Sequence, residues 1–152
     1  MRILKTAKYI WAYLDSIVAV ICILHGIAIG ISIDISTCAD IRICSSDAKF
    51  SVKEVDIGLA ADVGTLTRLP KVVGSYTWVK EVCMTARMFD ASEALQVGFV
   101  SSVQKTKADA IEEGFRIATV LSEKSPVAVQ GTKNFLDFCR DHGVAEGMFL
   151  RV

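Results

Sequence analysis

At 152 residues, 52% of them hydrophobic, the chain holds enough apolar material for one domain around a single core. Its 17 Lys and Arg balance 17 Asp and Glu, so no net field and no basic block are present to follow a phosphate backbone, which argues against a nucleic-acid role. Five scattered cysteines without a C-x-x-C pair, with only two histidines, read as free thiols in a reducing compartment and give no support to a disulfide framework or a metal site.

Residues 1–14 place Ile3, Leu4, Ala7, Tyr9, Ile10, Trp11 and Leu14 in an imperfect helical pattern with lysines opposite. The pattern predicts a marginal helix within an N-terminal segment, residues 1–16, that has no assigned role. Residues 16–33 then carry no formal charge and follow Arg2, Lys5 and Lys8, so a membrane-anchored protein is one reading. The run is barely long enough to span, and His25-Gly26, Gly30 and Ser32 interrupt it. Its β-branched first part suits a buried strand, which is the preferred reading.

On that reading residues 17–24 form a strand, His25-Gly26 turns the chain, and residues 29–38 form a short helix. Residues 41–45 and 49–53 form strands with Ser46-Asp47 as the turn between them. Strand, helix, strand, strand is a layered α/β order, not a helical bundle. From Val63 the pattern turns helical: residues 65–73, broken by Pro70, then 75–88. A short helix over 93–97 is capped by Ser92 and ended by Gly98, and a strand follows over 99–103. The helix over 108–121 should bury Ile111, Phe115, Ala118 and Leu121. The last, over 126–140, opens on Pro126 and should bury Val129, Phe135, Leu136 and Cys139. No repeat or long linker divides residues 17–152, which read as one domain.

The stretch over residues 53–64 places Glu54 and Asp62 among apolar residues and glycines, and Asp34 stands in an uncharged run upstream. Charge is costly in such company unless something uses or compensates it, and three acids so placed point to proton transfer. Spacing alone leaves the plainer alternative open, with Asp62 capping a helix that begins near Val63 and Glu54 and Asp34 solvated.

The order His25-Gly26-x-x-x-Gly30, Asp34, Ala39-Asp40-Ile41-Arg42, then Lys53-Glu54-Val55-Asp56-x-Gly58-Leu59-Ala60-Ala61-Asp62-Val63-Gly64-Thr65 and Arg68-Leu69-Pro70 resembles the enoyl-CoA hydratase/isomerase (crotonase) superfamily. Thr85-Ala86-Arg87, Glu93-Ala94-Leu95, Gly98-Phe99-Val100 and Lys124-Ser125-Pro126-Val127-Ala128-Val129 continue the likeness across residues 17–148. It looks closest to the branch that shifts the double bonds of 3,5-dienoyl-CoA to 2,4-dienoyl-CoA in fatty-acid β-oxidation.

The resemblance implies an α/β fold, a partial ββα spiral core followed by C-terminal helices. It implies an acyl-CoA thioester as substrate, coenzyme A arriving with it and no separate cofactor, and assembly into trimers or hexamers, away from nucleic acid and membrane. Gly30 and Ile31 take the oxyanion position, where a backbone N–H holds the thioester oxygen. Asp62, at a position where hydratases carry glycine, and Glu54 would handle the protons at C2 and C6, and Asp34 would tune or orient Glu54; which acid serves which carbon stays open. The family works in mitochondria and peroxisomes, and the basic N-terminal segment favours mitochondria. Two departures stand out. Ile31 and Ser32 replace family glycines, and the family's N-terminal half, with its second oxyanion N–H, has no counterpart here. A truncated, catalytically impaired relative is the alternative expectation.

Overall fold

The structure, a computed structural model, describes residues 16–149; the helix expected over residues 1–14 lies outside them. The β-branched run over residues 21–24 forms strand β1 (Ile21–Leu24), and Gly26, at φ 60°, turns the chain straight into β2 (Ile27–Ile29). These neighbours in sequence do not pair with each other. β1 lies parallel to β3 (Ile41–Ser45), with Ile21 opposite Ile41, and β2 lies parallel to β4 (Lys49–Ser51), with Ile27 opposite Lys49. Each turn of the chain therefore gives one strand to each of two sheets, which is the geometry of a spiral. β6 (Ser102–Gln104) extends the first sheet beside β3, and β5 (Phe89–Asp90) closes the second, antiparallel to β4.

Between the strands run α1 (Ile31–Ser36), a 3-10 turn (Glu54–Ile57), α2 (Thr65–Val72), α3 (Tyr76–Thr85) and α4 (Ala91–Gln96). Three longer elements end the chain: α5 (Lys107–Ser122), α6 (Pro126–Asp141) and α7 (Val144–Phe149). The core is centred on an aromatic group. The Phe89 ring lies 5.2 Å from Phe50, 5.0 Å from Trp78 and 6.0 Å from Phe99. All four rings are buried, each contributing roughly 1.5–3 kcal/mol by removal from water.

Several expectations need correcting. Residues 16–33 form no single span: they divide into an irregular lead, two strands and the start of α1, and no described helix is long and apolar enough to cross a membrane. The expected helix over 29–38 shrinks to Ile31–Ser36, since Ile29 ends β2, a strand too short to leave an alternation, Gly30 is the N-cap and Thr37 the C-cap. Ser46-Asp47 does turn the chain, but into the other sheet, so β3 and β4 do not form a hairpin. The helix α2 runs through Pro70, which forfeits only the bond to the Leu66 carbonyl near the helix end. Asp90, not Ser92, caps α4, its carboxylate accepting the Glu93 N–H at 2.9 Å.

The faces of the last helices also differ from expectation. Helix α5 turns Ala110 and Gly114 inward, and Phe115 is 70% exposed. In α6 Gly131 alone is buried; Val129, Phe135 and Cys139 are half-buried and Leu136 is 64% exposed. Periodicity identifies an apolar face but not what lies against it.

Candidate active site around the first helix

The site begins where β2 ends. Gly30 takes φ 56° and ψ −123°, a conformation that side chains disfavour, and its N–H donates to the Ser51 carbonyl at 3.0 Å. It is the N-cap of α1 but offers no side-chain acceptor. The N–H groups of Ile31 and Ser32 consequently have no hydrogen-bond partner among the described residues. Glu54, at the head of the 3-10 turn, faces this point: its Oε1 lies 3.3 Å from where a Cβ on residue 30 would be. Its Oε2 is buried without a hydrogen-bond partner among the described residues. An acceptor left bare of protein donors in this way is uncommon inside a protein.

Asp34 lies one turn further along α1, only 1% exposed. Its Oδ1 accepts both the backbone N–H of Thr65 at 2.7 Å and the Thr65 hydroxyl at 2.9 Å. The far end of α1 is held by two arginines. Arg68 Nη2 donates to the Asp34 carbonyl at 3.3 Å and its Nε to Thr37 Oγ1 at 3.1 Å. Arg42 Nη1 donates to the Ala39 and Ser36 carbonyls at 2.6 and 3.3 Å. A helix of 6 residues is too short to persist by its own bonds. Here its free carbonyls meet guanidinium groups, favourable at a helix C-terminus, and its front N–H groups stay open.

Asp62 is exposed, in the turn that precedes α2, where its N–H donates to the Ala60 carbonyl at 2.8 Å. It caps nothing: α2 starts at Thr65 behind Gly64, and no side chain of the turn bonds the helix start. The plainer reading of the acids is thus corrected for all three, since Asp34 is buried, Glu54 is half-buried and the acid that takes the first N–H of α2 is Asp34. Glu54 faces the first turn of α1 and Asp34 lies within it, whereas the exposed Asp62 side chain makes no hydrogen bond or ion pair to either among the described residues.

Sequence reasoning missed several neighbours. Thr65 stood in the quoted motif without a role, although a hydroxyl residue directly after a helix-starting glycine is a readable signal. Nothing in the sequence pointed to Ser51, whose hydroxyl donates to the Ala86 carbonyl at 2.7 Å, or to Cys83. Burial pushes the Cys83 thiol up to about 11, the charge of Glu54 adding to the effect. A cavity of about 390 Å³ lies elsewhere, between the end of α1 and α6, lined by Thr37, Arg42, Lys71, Lys133 and Arg140 and by none of the three acids.

A two-sheet spiral that presents open N–H groups beside a half-buried glutamate defines the crotonase class of α/β protein. The chain belongs to the enoyl-CoA hydratase/isomerase family, which it matches over residues 5–143. The mitochondrial Delta(3,5)-Delta(2,4)-dienoyl-CoA isomerase of Homo sapiens is 52% identical over 129 residues, 85% of this chain and 39% of that protein. Its peroxisomal namesake in Arabidopsis thaliana is 46% identical over 129 residues, 85% of this chain and 46% of that protein. The chain therefore spans less than half the length of these curated relatives. Among solved structures, an enoyl-CoA hydratase/isomerase from Cupriavidus metallidurans superposes with a TM-score of 0.89 at 31% identity, covering 97% of this chain and 55% of that one. A putative enoyl-CoA hydratase from Thermobifida fusca in complex with acetoacetyl-CoA gives 0.89 at 26% identity, covering 96% and 56%.

Proposed function

We propose that this chain carries the proton-transfer site of a β-oxidation isomerase that converts a 3,5-dienoyl-CoA to the 2,4-dienoyl-CoA. The observation that carries the reading is the Glu54 carboxylate set against Gly30 at the open front of α1. The thioester oxygen would accept the Ile31 N–H, which stabilises negative charge on that oxygen as a proton leaves C2. The electron pair spreads along the conjugated chain, and a proton returned at C6 leaves double bonds at C2 and C4. One proton leaves and one arrives, so no oxidant or separate cofactor is needed, and coenzyme A enters with the substrate. Glu54 and Asp62 would serve the two ends. The names of the relatives support this substrate class, and neighbours solved with acetoacetyl-CoA or CoA support an acyl-CoA ligand.

Mitochondria, or else peroxisomes, are the proposed location. Association with further copies fits the apolar residues left on α6 and α7, Leu136, Val144, Met148 and Phe149. A second reading, a catalytically impaired relative, is favoured by Ile31, whose branched side chain borders the N–H that a glycine would leave open.

The experiment is ultraviolet detection of the conjugated 2,4-dienoyl product from a 3,5-dienoyl-CoA, with wild type, Glu54→Gln and Asp62→Gly compared. The isomerase reading expects product from wild type and losses of about 10²-fold or more in both variants. Equal rates in wild type and Asp62→Gly would remove Asp62 from the mechanism, and no product from any of them would leave the impaired relative as the surviving reading.

A further inference from the structure

We infer that Thr65 is a positioning residue that, clamped by Asp34, holds the Asp62-bearing segment against α1. The inference rests on the proposed function and reassigns Asp34 within it, from a group that orients Glu54 to one that anchors the loop of the other acid.

The geometry begins with a carboxylate that has little choice of partner. Asp34 is buried, and its carboxylate forms no ion pair among the described residues, although Arg68 Nη2 donates to its backbone carbonyl at 3.3 Å. A buried charge without donors is costly, and both of the donors it has belong to one residue, the N–H and hydroxyl of Thr65 at 2.7 and 2.9 Å. Thr65 is itself fully buried. Its N–H is the first of α2, and Gly64 has no side chain to satisfy that end. Asp34 thus caps α2 from another helix, the service that a capping residue ordinarily performs from its own chain segment.

The consequence falls on residues 58–64. At their start the Leu59 N–H returns to the Glu54 carbonyl at 3.0 Å. At their end the chain is fixed by Thr65 on Asp34, with the Arg68 Nη2 donating to the Val63 carbonyl at 3.3 Å as a second tie. Between these anchors residues 58–60 and Asp62 are exposed, and Ala61, 3% exposed and part of the core, adds a small packing contact beside Asp62. Asp62 is placed by these two ends together with buried Ala61, and the hydroxyl of Thr65 is the part of the clamp that a substitution can remove without touching the backbone.

The test uses the full chain with Thr65→Val, which deletes the hydroxyl at nearly constant shape, and Thr65→Ser, which keeps it. Amide hydrogen exchange followed by NMR reads the junction at Leu66 and Arg68, whose N–H groups return to the Ala61 and Gly64 carbonyls at 3.3 and 2.9 Å, with Phe50 in the core as reference. Thr65→Val is expected to speed exchange at Leu66 and Arg68 about tenfold, the size of one lost hydrogen bond, while Phe50 is unchanged and Thr65→Ser behaves as wild type. Unchanged exchange at the junction, or equal acceleration at Phe50, overturns the clamp. Kinetics on a 3,5-dienoyl-CoA provide the functional arm: kcat should fall about tenfold or more in Thr65→Val with KM held, and Thr65→Ser should restore it. A loosened junction with unchanged kcat overturns the positioning role. A wild-type chain that makes no product overturns the proposed activity instead, and the exchange rates then decide the clamp by themselves.

Discussion

The Glu54 carboxylate crowds the space that a side chain on Gly30 would need, its Oε1 being 3.3 Å from the Cβ position there. Gly30 is also held at φ 56° and ψ −123°, outside the regions open to other residues. Gly30→Ala should therefore act twice, straining the backbone by about 1–3 kcal/mol and displacing the carboxylate. The measurement is urea denaturation of Gly30→Ala, Glu54→Ala and the double variant. Removing Glu54 relieves the crowding but not the strain, so the single effects should fail to add by roughly 0.5–1 kcal/mol. Strict additivity would mean that the two residues do not compete for that space.

Ile31 offers the complementary change. Its N–H is open and its side chain 46% exposed, so the side chain contributes little to packing and stands beside the proposed oxyanion position. Ile31→Gly should raise the rate of dienoyl-CoA isomerisation several-fold while lowering stability by about 0.5–1 kcal/mol, the conformational entropy of a glycine in a helix. The pair of measurements is the product rate by ultraviolet absorption and the urea midpoint. A lower midpoint with no gain in rate would show that the isoleucine is not the obstacle.

Much of this was legible in the sequence. The strand over 41–45, the Gly98 stop at φ 82° and the Pro126 helix start are local events, decided by residues a few positions apart. The three acids were recognisable because a charge among apolar residues is conspicuous wherever it ends up. The rest depended on contacts far along the chain. That β3 and β4 join different sheets is set by pairing with β1 and β2, which a turn at Ser46-Asp47 cannot announce. The faces of α5 and α6 were misjudged because Gly114 and Gly131, which these helices bury, carry no hydrophobic signal. The bond from Asp34 to Thr65 crosses 31 positions and leaves no spacing to read.

Glu93 ties α3, α4 and the segment between them. Its Oε1 accepts from Arg87 Nη2 and from Trp78 Nε1, each at 2.6 Å, and its Oε2 accepts from Arg87 Nη1 at 3.1 Å. The Arg87 hydrogen bonds chiefly, with Trp78 assisting, hold the Glu93 carboxyl below its ordinary value. A lowered folded value means stability that is present above the unfolded value, about 4.3, and is lost as pH falls through the folded one. The side chains of Arg87 and Glu93 are 33% and 29% exposed, so screening keeps the effect to roughly 1 kcal/mol. Glu93→Gln should be less stable than wild type by about that amount at pH 7, and the difference should close in urea titrations near pH 3. A gap that persists at pH 3 would assign the loss to packing instead of charge.

The approach of α5 to the first sheet gives a prediction whose sign depends on a single methyl group. A Cβ at position 114 would lie 2.8 Å from Ile23 Cδ1, with Ile23 Cγ1 and Ile21 Cγ2 at 3.5 and 3.9 Å. Gly114→Ala gains roughly 1 kcal/mol of helix propensity and incurs about 1–3 kcal/mol of overpacking, so in the wild-type background it should be neutral to destabilising. Ile23→Val deletes the crowding methyl. In that background the overpacking disappears, and Gly114→Ala should become stabilising by up to about 1 kcal/mol in urea denaturation. The same shift in both backgrounds would mean that β1 moves away freely, and that the close approach of α5 is not what demands a glycine there.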